Sequence, residues 1–286
     1  MREIERVAVL GAGAMGHGIA QVSAAAGCRV TLQDVDAGAV DRGLARIRGN
    51  LDKGVELGKV TGDARDAVLA RIRATTDVAE AVSTADLVIE AAPESLELKA
   101  RVFAEVDAAA PAHALLATNT SSLSIEAIAK CLRDPARFLG LHFFNPAHIM
   151  ALVEVVWGPD TSDATRLAAV AFVRRVGKEP IVVRDAPGFA SSRLGIILGM
   201  EAIRMVEQGV ASPEDIDKAM ELGYRHPMGP LKLTDLVGLD VRLGIAEYLH
   251  RTLGAEAFRP PELLRRMVGE GKLGKKSGRG FYDWNE

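Results

Sequence analysis

Two sets of residues stand out by type and spacing as able to bind or to react. The first is Gly11-Ala12-Gly13-Ala14-Met15-Gly16 with Asp34. A turn of this kind between a strand and a helix offers free N–H groups and the positive end of the helix to a phosphate. Gly11 permits the tight turn, Gly13 lets backbone approach a pyrophosphate, and Gly16 lets helix and strand pack closely. Asp34 lies 23 residues past Gly11, about where an acid receives a ribose 2′-hydroxyl. No Lys or Arg follows it until Arg42. That favours NAD over NADP, whose extra phosphate an Asp repels. The second set is His142 with Glu154. An imidazole set against a carboxylate is an oriented base: the carboxylate fixes the tautomer and stabilises the imidazolium. Whether these two meet depends on the elements that carry them. The alternative is a structural His and a surface Glu.

The glycine motif by itself is weak, because the chain carries it twice. Gly269-Glu270-Gly271-Lys272-Leu273-Gly274 follows a helical pattern (Leu263, Leu264, Met267, Val268) with no strand leading in, and is rejected. The first copy has the full context. Val7 to Leu10 is an apolar run of the kind buried on both faces of a sheet, Ile19 to Ala26 reads as a helix ended by Gly27, and Arg29 to Leu32 reads as a second strand. Arg2 and Arg6 precede an uncharged stretch and Ala24-Ala25-Ala26 resembles a cleavage site, but four glycines, His17 and Gln21 interrupt any signal-peptide core.

Further along, Asp36 can cap a helix running to about Glu56, and Asp63 to Arg73 reads as a second helix after a Gly58–Gly62 break. This hairpin, about residues 36–73, is an insertion whose outer face carries Arg42, Arg46, Arg48, Lys53 and Lys59. It is either a solvated charged face or an anion-binding arm. Strands near Thr75, at Leu87–Ala91 and at Leu115–Thr118 alternate with helices at Leu96–Ala109 and Ile125–Cys131. That alternation predicts an α/β fold with a doubly wound, Rossmann-like, mostly parallel sheet. Glu94 and Ser121 follow strands, on the carboxyl edge where ligands bind in such sheets. Phe138–His142 and Leu152–Val156 are joined too briefly for a parallel crossover, so they should pair antiparallel, and His142 and Glu154 could meet across the pair. A helix over Ala164–Val176 and a strand at Ile181–Val183 complete this half.

Asp185-Ala186-Pro187-Gly188 marks the boundary between residues 1–185 and an all-α domain, 186–286. There, helices are expected at Phe189–Glu207, from Ser212-Pro213, over Leu236–Leu253 and over Glu262–Val268. Gly195 and Gly199 would let another helix pack close. A helical half this apolar is expected to bury a partner surface, as a symmetric homodimer. Phe281 and Tyr282 argue that the basic, glycine-rich tail is ordered.

Composition narrows the function further. A length of 286 residues suits two domains, and 35 basic against 38 acidic residues leave no excess for nucleic acid or an anionic membrane. No apolar stretch approaches a membrane span. Cys28 and Cys131 cannot form a disulfide framework and are expected as reduced thiols in a reducing compartment, the cytoplasm. No metal site is expected.

The segments GAGAMGHGIA (11–20), EAAPESLELK (90–99), TNTSSLSI (118–125), RFLGLHFFNPAHIMALVEVV (137–156), DAPGF (185–189), HPMGPLKLTDLVGLD (226–240) and GKKSGRGFY (274–282) together resemble the L-3-hydroxyacyl-CoA dehydrogenase family, its short-chain 3-hydroxybutyryl-CoA members most of all. The resemblance implies an enzyme in which NAD accepts hydride from C3 of a (3S)-3-hydroxyacyl-CoA, giving a 3-oxoacyl-CoA, a reaction of fatty acid metabolism. It implies that His142 is the general base, that Glu154 orients it, and that Ser121 hydrogen-bonds the substrate. It implies NAD contacts at Glu94, Lys99, Asn145 and Lys276. It makes the hairpin the CoA-contacting arm, with Lys53 and Lys59 aligned loosely. One position departs: many members read GFIVNRL where this chain has Gly188-Phe189-Ala190-Ser191-Ser192-Arg193-Leu194, so Ser192 stands for an Asn. A serine is shorter and lacks the amide carbonyl, which bears on how the thioester carbonyl is held. Three other readings compete. β-Hydroxyacid dehydrogenases need a catalytic Lys that this chain lacks at position 142. Gulonate dehydrogenase and lambda-crystallin relatives act on free hydroxy acids. A non-catalytic NAD-binding protein would bind without turnover.

Overall fold

A computed structural model describes residues 3–285; Arg2 lies outside them. Two compact units divide the chain at Ala186/Pro187. The first carries β1 (Arg6–Leu10), α1 (Gly16–Ala25), β2 (Arg29–Gln33), α2 (Ala37–Glu56), α3 (Gly62–Ala70), β3 (Ile72–Thr75), α4 (Val78–Val82), β4 (Leu87–Glu90), α5 (Leu96–Ala109), β5 (Leu115–Thr118), α6 (Ile125–Ala129), β6 (Phe138–Phe143), β7 (Leu152–Trp157), α7 (Asp163–Arg175) and β8 (Glu179–Arg184). The eight strands form one sheet in the order β3-β2-β1-β4-β5-β6-β7-β8. Strands β1 to β6 are parallel, β7 runs against β6, and β8 follows β7 in parallel.

The sequence accounts for these elements locally. The β1 and β4 runs are apolar because helices cover both faces of a parallel sheet, and Val7, Val9, Leu87 and Ile89 are buried. Asp36 caps α2 by accepting from the Gly38 and Ala39 amides at 3.0 Å each. Ser95, Ser124 and Ser162 cap α5, α6 and α7 in the same way. Residues 7–28 form the strand, turn and helix at the middle of the sheet. Some boundaries differ from the sequence reading. α3 stops at Ala70, so Ile72 and Arg73 belong to β3, which pairs with β2 from Val30 onward. Sheet pairing overrides a helical pattern there. The five-residue α4, capped by Asp77, gave no periodic signal at that length.

The second unit comprises α8 (Ser191–Glu207), α9 (Pro213–Gly223), α10 (Pro230–Val237), α11 (Leu239–Leu253) and α12 (Glu262–Gly269). Its core includes Ile196, Met200, Ile203, Leu231, Leu239, Leu249 and Leu264. The expected helix over 236–253 is two helices, because Gly238 takes φ 104°, a conformation outside any helix. α8 begins at Ser191 and not at Phe189, whose φ of 48° excludes it. The rejected second glycine motif does follow a helix, α12. The tail is built in. Buried Asp235 accepts from the Phe281 and Tyr282 amides at 3.0 and 2.9 Å and from the Trp284 indole at 2.9 Å. Gly274 and Gly280 leave Asp235 the room, since a Cβ on either would collide with it.

Asp107, near the end of α5, is buried between two arginines: Arg137 Nη2 donates at 2.6 Å and Arg133 Nε at 2.7 Å. Burial raises its pKa, but the hydrogen bonds from Arg133 and Arg137 outweigh burial and hold the carboxyl below its ordinary range. A depressed carboxyl stabilises the fold above its unfolded pKa of about 3.9, and that contribution is lost as pH falls through the lower folded value. Asp107→Asn is expected to cost about 3 kcal/mol in urea unfolding at pH 7, since it leaves Arg137 buried without its counter-ion. The gap from wild type should close as pH falls through the carboxylate range; a gap independent of pH would refute the assignment.

Candidate active site

Strand β6 delivers His142 and β7 delivers Glu154. The register pairs them directly, and His142 Nδ1 lies 2.7 Å from Glu154 Oε2. Residues directly opposite in an antiparallel pair point to one face, so the contact follows from the register. The sequence left open a structural His and a surface Glu; instead Glu154 is 0% exposed and His142 7%. A carboxylate that buried needs a partner, and the imidazole supplies it. Two residues back on the same face, Gly140 carries no Cβ because Ile125 of α6 and Val156 fill that space. Asn119, just past β5, holds the end of β6 by accepting from the Phe143 amide at 2.9 Å. Sequence reading passed over Asn119; its place at the start of a polar run after a strand was the available signal.

The polar residues after β4 and β5 gather on one carboxylate. Glu94 Oε1 accepts from Thr120 Oγ1 at 2.6 Å, from the Ser121 amide at 3.0 Å, and from Ser121 Oγ and Ser122 Oγ at 3.3 Å each. Ser121 and Glu94 are therefore one unit, although the sequence assigned them separate duties. Lys99 reaches Glu90 Oε1 at 2.7 Å and Glu94 Oε2 at 3.6 Å, and Thr118 Oγ1 donates to the other oxygen of Glu90 at 2.7 Å. Lys99 is 1% exposed. Its ammonium fixes Glu90 and, at longer range, Glu94.

The glycine turn fits a dinucleotide. Gly11 has φ 97°, and a Cβ there would stand 2.7 Å from the Ala91 carbonyl oxygen. A Cβ on Gly16 would collide with the Gly11 carbonyl. A Cβ on Gly13 would meet no protein atom within 4 Å, so nothing in the fold requires a glycine there. That is what a close approach by a phosphate predicts. The first turn of α1 holds no acid and its N-cap, Met15, makes no side-chain cap, so these amides remain for an anion. Asp34 Oδ2 accepts from the Ala12 amide at 2.8 Å, bracing the turn; the carboxylate keeps further lone pairs for a ribose hydroxyl.

The other expected residues are placed as follows. Asn145 is exposed, on the loop between β6 and β7 before a cis proline. Lys53 and Lys59 are exposed on the hairpin, and Lys53 lies 2.9 Å from Glu56. Ser192 and Lys276 belong to the second unit. Ser192 stands in the first turn of α8, and the Lys276 ammonium sits 2.6 and 2.7 Å from the two oxygens of Asp240. Among the described residues no group of three His, Cys, Asp or Glu side chains could hold a metal ion.

The family model for the 3-hydroxyacyl-CoA dehydrogenase NAD binding domain matches residues 6–186, and that for the 3-hydroxyacyl-CoA dehydrogenase C-terminal domain matches residues 188–284. A probable 3-hydroxybutyryl-CoA dehydrogenase of Bacillus subtilis is 46% identical, covering 99% of each chain. The mitochondrial hydroxyacyl-coenzyme A dehydrogenase of Homo sapiens is 42% identical, covering 98% of this chain and 91% of that protein. The crystal structure of (S)-3-hydroxybutyryl-CoA dehydrogenase from Ralstonia eutropha superposes with a TM-score of 0.95 at 40% identity, over 99% of this chain and 100% of that one.

Gly13→Ala tests the turn without disturbing the fold. The thermal midpoint should stay within a few degrees, while calorimetric titration should show NAD affinity reduced about 10-fold or more. Unchanged affinity would move the phosphates away from Gly13.

Proposed function

The chain belongs to the 3-hydroxyacyl-CoA dehydrogenase family, and on that premise we propose that this NAD-dependent oxidoreductase converts a short-chain (3S)-3-hydroxyacyl-CoA to the 3-oxoacyl-CoA with His142 as its general base. The observation that carries the assignment of roles is the buried 2.7 Å contact between His142 and Glu154 at the carboxyl edge of an NAD-binding sheet. Bound NAD supplies the acceptor for the hydride that leaves C3. The protein supplies position and the proton's destination. Glu154 takes the Nδ1–H of His142, which makes Nε2 the nitrogen whose lone pair receives the C3-hydroxyl proton. As that proton arrives the ring becomes cationic, and the buried carboxylate beside it offsets the charge. Ser121, placed by the bond from its amide to Glu94, turns its hydroxyl from that carboxylate to hydrogen-bond the substrate. Ser192 donates a single hydrogen bond where an amide would offer more. Relatives named as 3-hydroxybutyryl-CoA dehydrogenases favour a thioester over a free hydroxy acid, and the assembled His142, Glu154 and Ser121 favour turnover over binding alone.

The partner is read as a second copy of the chain. On α8, Leu194 is 65% exposed, with Leu198 beside it, and Leu233, Leu236 and Val237 of α10 are exposed as well. A run of apolar side chains on two adjacent helices suits a symmetric contact. Two free thiols, Cys28 and Cys131, support a reducing compartment such as the cytoplasm. Burial raises the pKa of both, so neither is a poised thiolate.

Initial rates with NADH and acetoacetyl-CoA test the reading. His142→Gln should lower kcat by about 10²–10⁴-fold with a smaller change in KM; retention of wild-type kcat would remove His142 from the chemistry. Ser192→Ala should lower kcat/KM measurably, and an unchanged value would pass the carbonyl to another group. In sedimentation, wild type should run as a dimer and Leu194→Asp should shift it toward monomer; a monomeric wild type ends the dimer proposal.

A further inference from the structure

Arg242 is a buried cation without a counter-ion. It stands on α11 in a stripe with Leu239, Ala246 and Leu249, each 0% exposed. Arg242 itself is 6% exposed, its guanidinium makes no hydrogen bond or ion pair among the described residues, and Nε is sealed from water with no partner. Burial lowers its pKa to about 10, so it is still charged at neutral pH. An unpaired charge in a core is among the most destabilising features a fold can hold, and a molecule that keeps one has a use for it.

Asp240, two residues before Arg242, and the buried acids Asp217 and Asp235 of this unit are engaged elsewhere. Lys276 is the counter-ion of Asp240, donating to Oδ2 at 2.7 Å with Oδ1 at 2.6 Å. Asp235 holds the tail, and Asp217 accepts from the Leu231 and Lys232 amides and from the Tyr282 hydroxyl, each at 2.8 Å. Space for the guanidinium comes from Gly195 of α8, where a Cβ would lie 3.2 Å from Arg242 Nη1. Gly195 is three residues past Ser192, on the same side of the helix. The guanidinium therefore reaches the face of α8 that carries Ser192.

We propose that Arg242 is a specificity-determining residue whose counter-ion is a carboxylate at the far end of the acyl chain, so that the preferred substrate is a 3-hydroxyacyl-CoA ending in a carboxylate. This deepens the function proposed above and rests on it, in particular on Ser192 facing the substrate. A carboxylate matches the guanidinium fork in charge and geometry. A thioester carbonyl is the other target within reach of the same helix face, but it is neutral and would leave the charge uncompensated.

The test uses acyl chains of equal length. Initial rates with NADH are compared for 3-oxoadipyl-CoA, which ends in a carboxylate, and 3-oxohexanoyl-CoA, which ends in a methyl, with acetoacetyl-CoA reporting the parent activity. Wild type should favour the carboxylate by about 10-fold or more in kcat/KM. Arg242→Met should lower that preference on the order of 100-fold, mainly through KM, and Arg242→Lys should recover part of it. A wild-type preference for the methyl-ended chain, or an Arg242→Met enzyme in which both substrates fall together, overturns the assignment; turnover of acetoacetyl-CoA would leave the parent function standing. Absence of turnover on all three thioesters overturns the parent function and the inference with it. Should Arg242→Met fail to fold, the wild-type preference decides alone.

Discussion

The loop from Phe144 to Ala151 is too short to carry the chain across the sheet, so β7 must return antiparallel beside β6. That single reversal sets Glu154 opposite His142. A slip of one residue would turn one of the two to the other face and leave a carboxylate buried with nothing to meet it. The register is therefore defended twice. Core packing of Leu139, Leu141, Phe143, Val153 and Val155 on one face fixes it, and the polar pair fixes it on the other. β8 then lies parallel to β7 and shields its outer edge.

The loops at the carboxyl edge are held by buried polar contacts and not by packing alone. Glu90, Lys99 and Thr118 form a sealed network under the β4 and β5 ends. Glu94, tied to Lys99 at 3.6 Å, gathers Thr120, Ser121 and Ser122 above it. Asn119 links that loop to β6 beside His142. A network in which each member is satisfied specifies one geometry, because any rearrangement strands a buried donor or acceptor. Such a network lets groups meant to meet a ligand be placed before it arrives.

Missing side chains carry as much of the design as present ones. Gly16 and Gly140 yield to protein atoms, while Gly13 yields to open space. Gly195 yields to Arg242, the one guanidinium of the helical unit set among apolar neighbours in this way among the described residues. The glycines that border protein report packing, while Gly13, in the turn between β1 and α1, borders open space into which a phosphate can come close.

Much of this was legible in the chain itself. Apolar runs with period two or none, capping side chains at Asp36 and Ser212, and the Gly11–Asp34 spacing are local properties, and local properties survive without knowledge of the fold. The antiparallel return of β7 was legible too, since it follows from a loop length. Other features had no local signature. Lys99, given an NAD contact by resemblance, carries no local sign of its burial. The break at Gly238 and the helix ending at Ala70 are settled by what the neighbouring elements require. Arg242 reads as one more charge in a helical pattern, and only the packing of α11 against α8 shows it to be buried and unpaired. Sequence fixes what depends on neighbours along the chain; burial, pairing and isolation depend on neighbours in space, and those exist only once the chain has folded.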